Sequence, residues 1–394
     1  MPRGQYCGTE RILRLDGVTG IPVVQVTSMF TPSVHMHYET VTFTPDNGWM
    51  IFLSARSTQT GAPINLFRAS SDGKDIVQIS GDSAVSNVVM AGDGSAAFYI
   101  QDGAVHRTEI RTAKDEIIAP LQTGELRPHC ATHGMLSLGR YYFAELRSDS
   151  NAAIGRWDLE TGQFTEVIRC DNTGHPKANP AGPEISFNVY EYRDGINENG
   201  GRNFLKTEEF RHAETLEKIE VRFPKGQHGI AHSYWLGTTG KFQGTLQWPG
   251  RGIAIMERHA SEPEIIPSPG PCFWHSGSSY NGDWIIADTN FPYEGIWLVN
   301  VTTGKTELLC RPPLPDGADK VDKPLAHPHP NLSHDGSRAV FTFSDDRSIP
   351  QVFVVEIPGD VRRRLGTGNG ATKAGRMESR VRCELGNDSV GNRK

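Results

Sequence analysis

The most chemically suggestive stretch of the sequence is residues 326–330, in which one proline separates His327 from His329. In an extended chain, side chains at positions i and i+2 point to the same side, so the two imidazoles can be presented to one point. Pro328 and Pro330 favour extended backbone in this segment. Because neutral imidazole is a common metal ligand, the pair is a candidate half of a metal site. The alternative is a surface loop that carries two unrelated histidines.

The composition is that of a globular chain rich in turn-forming residues. Among 394 residues there are 42 Gly and 25 Pro, and 37% are hydrophobic and 22% charged. The formal net charge is −6, and no basic cluster dominates, so charge gives no support for nucleic-acid or membrane binding. No stretch approaches the ~18 apolar residues of a membrane helix, and the N-terminus lacks the apolar run of a signal peptide. The six cysteines are widely spaced, and we expect free thiols and a cytoplasmic protein.

A unit of four short apolar strands, separated by turns that contain Gly, recurs about every 50 residues. In the first copy, strand-like runs at 40–43, 49–53, 65–68 and 76–79 alternate with turns such as Asp46-Asn47-Gly48 and Asp72-Gly73. The units open near residues 38, 84, 133, 180, 232, 275 and 329. Seven such units are typical of a β-propeller, and their regular spacing favours this fold over a β-sandwich. We therefore predict an all-β, seven-bladed β-propeller with four-stranded antiparallel blades.

The predicted propeller forms a single domain over residues 1–365. Residues 1–30 are expected to close the ring, with the apolar run 21–26 supplying an outer strand to the last blade. Residues 366–394 carry scattered arginines and almost no apolar pattern. We predict that they form a flexible C-terminal tail.

The histidines concentrate at the predicted blade openings. The first strand of each propeller blade lines the central channel, so residues at its start face one mouth. His275 and the His327/His329 pair come from adjacent blades and can converge there. Three imidazoles suit Zn, Mn, Fe, Ni or Cu ions and leave positions open for water or substrate. The alternative is a set of channel histidines that bind ordered water or each other. Nine of the fourteen histidines lie at or near these openings: His35, His37, His129, His133, His228, His232, His275, His327 and His329.

Three of these openings make the sequence resemble the oligogalacturonate lyases, which are propeller enzymes that cleave short uronic-acid oligomers from pectin. The likeness covers roughly residues 35–360, with weaker support from Tyr38 and residues 43–46. The segments that carry it are Ala231-His232-Ser233-Tyr234-Trp235, Trp274-His275-Ser276 with Asn281-Gly282, and His327-Pro328-His329-Pro330 with His334-Asp335-Gly336.

The resemblance implies a metal ion held by His275, His327 and His329. The family binds manganese through three histidines and a glutamine, so Mn²⁺ is the expected ion, with Ca²⁺ or Zn²⁺ as alternatives. Pro324 occupies the glutamine position here, and water or Asp322 would have to substitute. The family also has a Cys-His-Glu-Gly-Pro segment, which corresponds here to residues 186–191 and lacks the histidine. These departures suggest a related lyase with another uronate substrate or a changed metal.

β-Elimination at a uronate requires neutralisation of the C6 carboxylate, a base for the C5 proton and departure of O4. A metal ion would meet the first need, and a neutral histidine suits the second. By the resemblance that base is His232. Tyr190 is a candidate acid, and Arg193 or Arg127 could pair with a second sugar carboxylate.

We therefore expect a metal-assisted lyase that acts on acidic oligosaccharides. The alternative is a non-catalytic, TolB-like or WD-like propeller that binds a partner. A hydrolase with its own nucleophile is disfavoured, because the sequence has no Gly-x-Ser-x-Gly elbow and no appended α/β domain. Neither the oligomeric state nor an organic cofactor is indicated.

Overall fold

The computed structural model describes residues 2–196, 202–224, 229–247, 250–290, 294–312 and 327–366. Their strands form seven antiparallel sheets that follow one another along the chain. This confirms the predicted seven-bladed β-propeller. Most sheets have four or five strands, and the fourth blade has three.

The first half of the chain forms three initial strands and blades 1 to 3. The initial strands are β1 (Tyr6–Gly8), β2 (Ile12–Leu15) and β3 (Pro22–Gln25). Blade 1 contains β4 (Ser33–His35), β5 (Trp49–Ser54), β6 (Asn65–Ser70) and β7 (Ile76–Gln78). Blade 2 contains β8 (Ser86–Met90), β9 (Ala96–Gln101), β10 (Ala104–Glu109) and β11 (Asp115–Pro120). Blade 3 contains β12 (Arg127–Pro128), β13 (Met135–Ser137), β14 (Tyr141–Arg147), β15 (Ala152–Asp158) and β16 (Phe164–Cys170).

The second half forms blades 4 to 7 and a terminal helix. Blade 4 contains β17 (Asn172–Ala178), β18 (Glu184–Ile196) and β19 (Arg202–His212), and its fourth strand is reduced to a bridge between Arg211 and Lys218. Blade 5 contains β20 (Ile230–Trp235), β21 (Phe242–Leu246), β22 (Gly252–Met256) and β23 (Glu264–Pro267). Blade 6 contains β24 (Cys272–Ser278), β25 (Trp284–Asn290), β26 (Ile296–Asn300) and β27 (Thr306–Cys310). Blade 7 contains β28 (Asn331–Leu332), β29 (Arg338–Ser344) and β30 (Pro350–Glu356), and α1 (Gly359–Leu365) follows.

The N-terminal strands close the ring, as the sequence predicts. β3 pairs antiparallel with β30, and β2 pairs with β3, so blade 7 is completed by strands from the other end of the chain. β1 pairs with β7 and adds an outer strand to blade 1. Backbone pairing between strands from the two ends of the chain within blade 7 therefore holds the ring closed.

The core consists of seven buried apolar clusters, each of which lies between two neighbouring blades. A middle strand therefore has a neighbouring blade on both faces. All six residues of β9 are buried, and so are six of the seven in β29. This explains why the middle strands are apolar runs without the alternation of a half-exposed strand.

The short helix α1 is the main element that the β-repeat does not predict. It has seven residues, and Val361 and Leu365 are buried in the cluster between blades 6 and 7. Within the described ranges, no helix has the length and apolar character needed to cross a membrane. The five described cysteines are free, as expected, and Cys383 lies outside the described residues together with the predicted tail from 367 onward.

Candidate metal centre

Irregularities in the inner strands determine where the channel histidines point. The pairing register shifts at β8, β17, β20 and β24, at the sites of Asn87, His175, His232 and His275. His175, His232 and His329 have positive φ angles of 54°, 50° and 44°. Such a conformation costs on the order of 1–3 kcal/mol for a non-glycine residue and clusters at functional sites. A β-bulge changes the direction in which a side chain points, so the side chains at these positions depart from the regular alternation of a strand.

A sequence signal accompanies this geometry. His175, His275 and His329 each lie seven residues before a turn glycine, namely Gly182, Gly282 and Gly336. The same spacing could have identified His175, which the clustering of histidines at blade openings did not.

His275, His327 and His329 converge at one place, and we refer to them as the His275 group. One ligand atom from each residue lies within 4.8 Å of the others. The ring centroids are 4.1 Å apart for His275 and His329, 5.4 Å for His275 and His327, and 5.6 Å for His327 and His329. The predicted convergence of blades 6 and 7 is therefore present in the geometry, although whether a metal binds stays a prediction.

Asp288 on β25 holds this group in position. Nδ1–H of His275 donates to Asp288 Oδ2 at 2.9 Å, and the backbone N–H of His275 donates to Oδ1 at 2.6 Å. The backbone N–H of His329 donates to Oδ2 at 3.2 Å. Because Nδ1 carries the proton that is donated to the carboxylate, Nε2 of His275 keeps a lone pair that can bind a metal ion, which is the usual orientation of a metal-ligating histidine. The sequence reading did not identify Asp288.

The protonation of His327 and His329 suits cation binding. Burial lowers the pKa of His329 well below its usual range, and the neighbouring imidazoles of His275 and His37 add to this. Burial, and then His275, also lowers the pKa of His327. Only a neutral imidazole has a lone pair for a metal ion, so these residues need no change in protonation at neutral pH. The donor set fits a divalent transition-metal ion, whereas Ca²⁺ prefers oxygen ligands. Pro324, which matches the glutamine of the resemblance, and Asp322, the suggested substitute ligand, lie outside the described residues.

His232 lies beside the His275 group. Its ring centroid is 4.5 Å from that of His275 and 5.3 Å from that of Trp274, and its Nδ1 lies 3.4 Å from Thr245 Oγ1. Burial, and then the proximity of His275, lowers the pKa of His232 to about 3. The side chain is therefore neutral at neutral pH and able to accept a proton.

Tyr38 is a further residue of this site that the sequence reading used only as weak support. It is buried, and its ring centroid lies 5.5 Å from that of His275, 5.9 Å from that of His329 and 6.4 Å from that of His232. Its ring thus forms a common wall for the three imidazoles.

The candidate acid Tyr190 and the candidate carboxylate-binding arginines come from blades 3 and 4. Tyr190 on β18 is half-buried, and its ring packs on Phe204 at 5.5 Å. Arg193, further along β18, and Arg127, on β12, are exposed. Within the described part of the chain, no hydrogen bond or ring contact joins Tyr190 or Arg193 to His232 or the His275 group. His228, another histidine near a predicted opening, lies outside the described residues.

The fold is similar to that of solved oligogalacturonate lyases. An oligogalacturonate lyase in complex with manganese aligns with a TM-score of 0.71 at 17% identity, over 92% of this chain and 100% of that chain. The oligogalacturonate lyase of Vibrio parahaemolyticus aligns with a TM-score of 0.68 at 14% identity, over 91% and 99% of the two chains. A chain of the Mitotic Checkpoint Complex gives a TM-score of 0.51 at 13% identity, over 85% and 94%.

Sequence comparisons add nothing to this result. No family model matches the chain, and no curated protein matches it. At such low identity, structural similarity establishes the fold, and chemistry has to be argued from the site. The structural resemblance to oligogalacturonate lyases that the motifs predict is thereby confirmed at the level of the propeller.

Proposed function

We propose that this protein is a metal-assisted lyase that cleaves uronic-acid-containing oligosaccharides by β-elimination at the channel mouth. The observation that carries the proposal is the contact of a neutral histidine, His232, with His275, which is one of three histidines whose ligand atoms lie within 4.8 Å of one another. The similarity in fold to an oligogalacturonate lyase in complex with manganese supports the same reading.

His275, His327 and His329 would hold the ion, with Mn²⁺ as the expected metal and Zn²⁺ as the alternative. When bound, such an ion neutralises the substrate carboxylate and stabilises the charge that develops as the C5 proton leaves. Asp288 would keep His275 in the ligating orientation through its hydrogen bond to Nδ1.

His232 would accept the C5 proton. Its low pKa makes it a weak base, so proton transfer requires a substrate whose C5 proton has already been acidified. Thr245 Oγ1, which lies near Nδ1, would help to leave Nε2 as the accepting nitrogen. Trp274 and Tyr38 restrict the movement of the imidazole ring by packing.

Tyr190 and Arg193 are proposed as the proton donor to O4 and the partner of a second sugar carboxylate, with Arg127 as the alternative arginine. Burial raises the pKa of Tyr190, so its hydroxyl keeps its proton at neutral pH. An acidic oligosaccharide would have to extend from the histidines toward β18 to reach both residues. We keep a cytoplasmic location as a prediction from the sequence.

The proposal can be tested with a panel of oligouronides. β-Elimination creates a conjugated unsaturated product, so ultraviolet absorbance should rise with at least one substrate, fall to background with a chelator and recover with added Mn²⁺. His106 offers a matched control, because it is buried and its Nδ1 lies 3.0 Å from a carboxylate oxygen, Asp115 Oδ2, in blade 2. His106→Gln should retain activity when His275→Gln does not. Absence of product from every uronide would contradict the lyase and favour a non-catalytic binding propeller.

A further inference from the structure

A second cluster of candidate ligands lies next to the His275 group. One ligand atom from each of His37, Glu39 and His133 lies within 4.8 Å of the others, and we call these residues the Glu39 group. His37 and Glu39 follow β4 of blade 1, and His133 precedes β13 of blade 3. The ring centroid of His37 is 5.1 Å from that of His133 and 4.7 Å from that of His329. The two groups therefore touch through His37 and His329.

Glu39 supplies a buried negative charge to this cluster. Its side chain is 4% exposed, and its Oε2 lies 3.3 Å from His37 Nδ1 and 3.4 Å from His175 Nδ1. Burial raises the pKa of Glu39, but His175 and His37 outweigh this effect and hold it well below its usual range. A buried carboxylate is costly unless it is paired or coordinates a metal.

His133 is oriented in the same way as the metal-ligand candidate His275. His133 Nδ1 lies 3.1 Å from Glu145 Oε2, and His275 Nδ1 lies 2.9 Å from Asp288 Oδ2. Glu145 is the fifth residue of β14, and Asp288 is the fifth residue of β25. Blades 3 and 6 thus repeat one arrangement, in which a buried carboxylate on the second strand of the blade contacts Nδ1 of a histidine.

His37 has a buried ring nitrogen whose hydrogen bonding is incomplete. Its Nδ1 lies 3.3 Å from Glu39 Oε2, but the angles of this contact fall outside hydrogen-bond geometry, and no other described residue bonds to it. Buried polar atoms are rarely left in this state, and each exception needs an explanation such as an ion.

We propose that the Glu39 group binds a second divalent transition-metal ion, with His37, Glu39 and His133 as ligands and Glu145 as the residue that orients His133. Two imidazoles and one carboxylate form a donor set that first-row divalent metals accept with positions left open. Glu39 and Glu145 already stabilise positive charge at this point. The proposed lyase activity does not depend on this second ion.

The stoichiometry of metal binding tests the proposal without an activity assay. The purified full-length chain would be dialysed against Mn²⁺, and in parallel against Zn²⁺, and bound metal measured by mass spectrometry. We expect two equivalents per native chain, one for Glu39→Gln, one for His275→Gln and none for the double variant. His106→Gln, the matched control for a buried histidine beside a carboxylate, should retain two.

The decisive comparison is between Glu39→Gln and His133→Gln on one side and the native chain on the other. If both variants fold, as judged by thermal unfolding, and both keep the full native stoichiometry, the second site does not exist. A native chain that binds no metal, or one equivalent that only His275→Gln removes, also overturns it. One equivalent removed by Glu39→Gln and kept in His275→Gln supports the Glu39 group and contradicts metal binding at the His275 group. Anomalous scattering from a Mn²⁺-soaked crystal, with a peak beside Glu39, would support the assignment directly.

Discussion

The His275 group and the Glu39 group are similar in geometry but differ in the charge of their ligands. Each contains a histidine whose Nδ1 contacts a buried carboxylate on the neighbouring strand. The His275 group offers three imidazoles, which are uncharged when they act as ligands, so a bound ion would keep its full double positive charge. The Glu39 group offers a carboxylate as a ligand, which would neutralise half of that charge. An ion with neutral ligands polarises a substrate carboxylate more strongly, and the chemistry is therefore expected at the His275 group.

Removal of two ligands from the His275 group should give the largest effect. In the variant His327→Gln/His329→Gln we expect the rate of uronide cleavage to fall at least about 10⁴-fold, because several kcal/mol of charge stabilisation are lost. Steady-state kinetics of product absorbance would measure the loss. An equal loss of activity in Glu39→Gln would show that cleavage depends on both groups and not on the His275 group alone.

Replacement of the proposed base should separate chemistry from metal binding. His232→Gln is expected to lower kcat about 10²- to 10⁴-fold, the usual contribution of general base catalysis. The metal content of the variant should equal that of the native chain. If the variant loses its metal, His232 acts as a ligand or a support of the His275 group, and another base must be sought.

The two orienting carboxylates should be independent of each other. We expect Asp288→Asn to weaken metal affinity at the His275 group by roughly 10- to 100-fold and leave the Glu39 group unchanged. Glu145→Gln should do the reverse. Titration with Mn²⁺ in single-group backgrounds, with either Glu39→Gln or His275→Gln present, would resolve the two affinities. Cross-effects of similar size would mean that the groups bind metal as one unit.

Removal of metal should have the smallest of these effects, a decrease in the free energy of unfolding. An ion present at one hundred times its dissociation constant stabilises the folded chain by about 2.7 kcal/mol per site. The urea midpoint should fall when a chelator is added, and Glu39→Gln should show about half of the native shift. A native chain whose midpoint does not respond to chelator would contradict binding at both groups.

The fold was predictable because each blade has the same local sequence pattern, which repeats along the chain. Apolar runs such as Ala96–Gln101 and turn glycines recur with one period, and each blade must bury both faces against its neighbours. Helix α1 was missed because seven residues with two buried positions, Val361 and Leu365, form too short a pattern to recognise. The fourth strand of blade 4 was expected and is reduced to one bridge, between Arg211 and Lys218.

The candidate site was predictable only where chain order implies proximity. His275 and the His327/His329 pair belong to adjacent blades, so their convergence followed from the blade count. Glu39 and His133 belong to blades 1 and 3, and their meeting depends on how the inner strands bulge. Asp288 and Glu145 are single carboxylates in apolar strands, and the partner of each is known only from strand register. The roles of Tyr190 and Arg193 were inferred from what β-elimination requires, and they stay predictions.

The pairing of β3 with β30 has a consequence for the order in which this protein is made. β3 leaves the ribosome long before β30 exists, and it must wait without its partner while six blades are synthesised. The cluster between blades 7 and 1 contains Val26 and Val354, so it can fill only when the two ends of the ring have met. His329 contacts His37 across this same junction. The His275 group and the Glu39 group therefore lie on opposite sides of this junction, and they come into contact only in chains whose ring has closed.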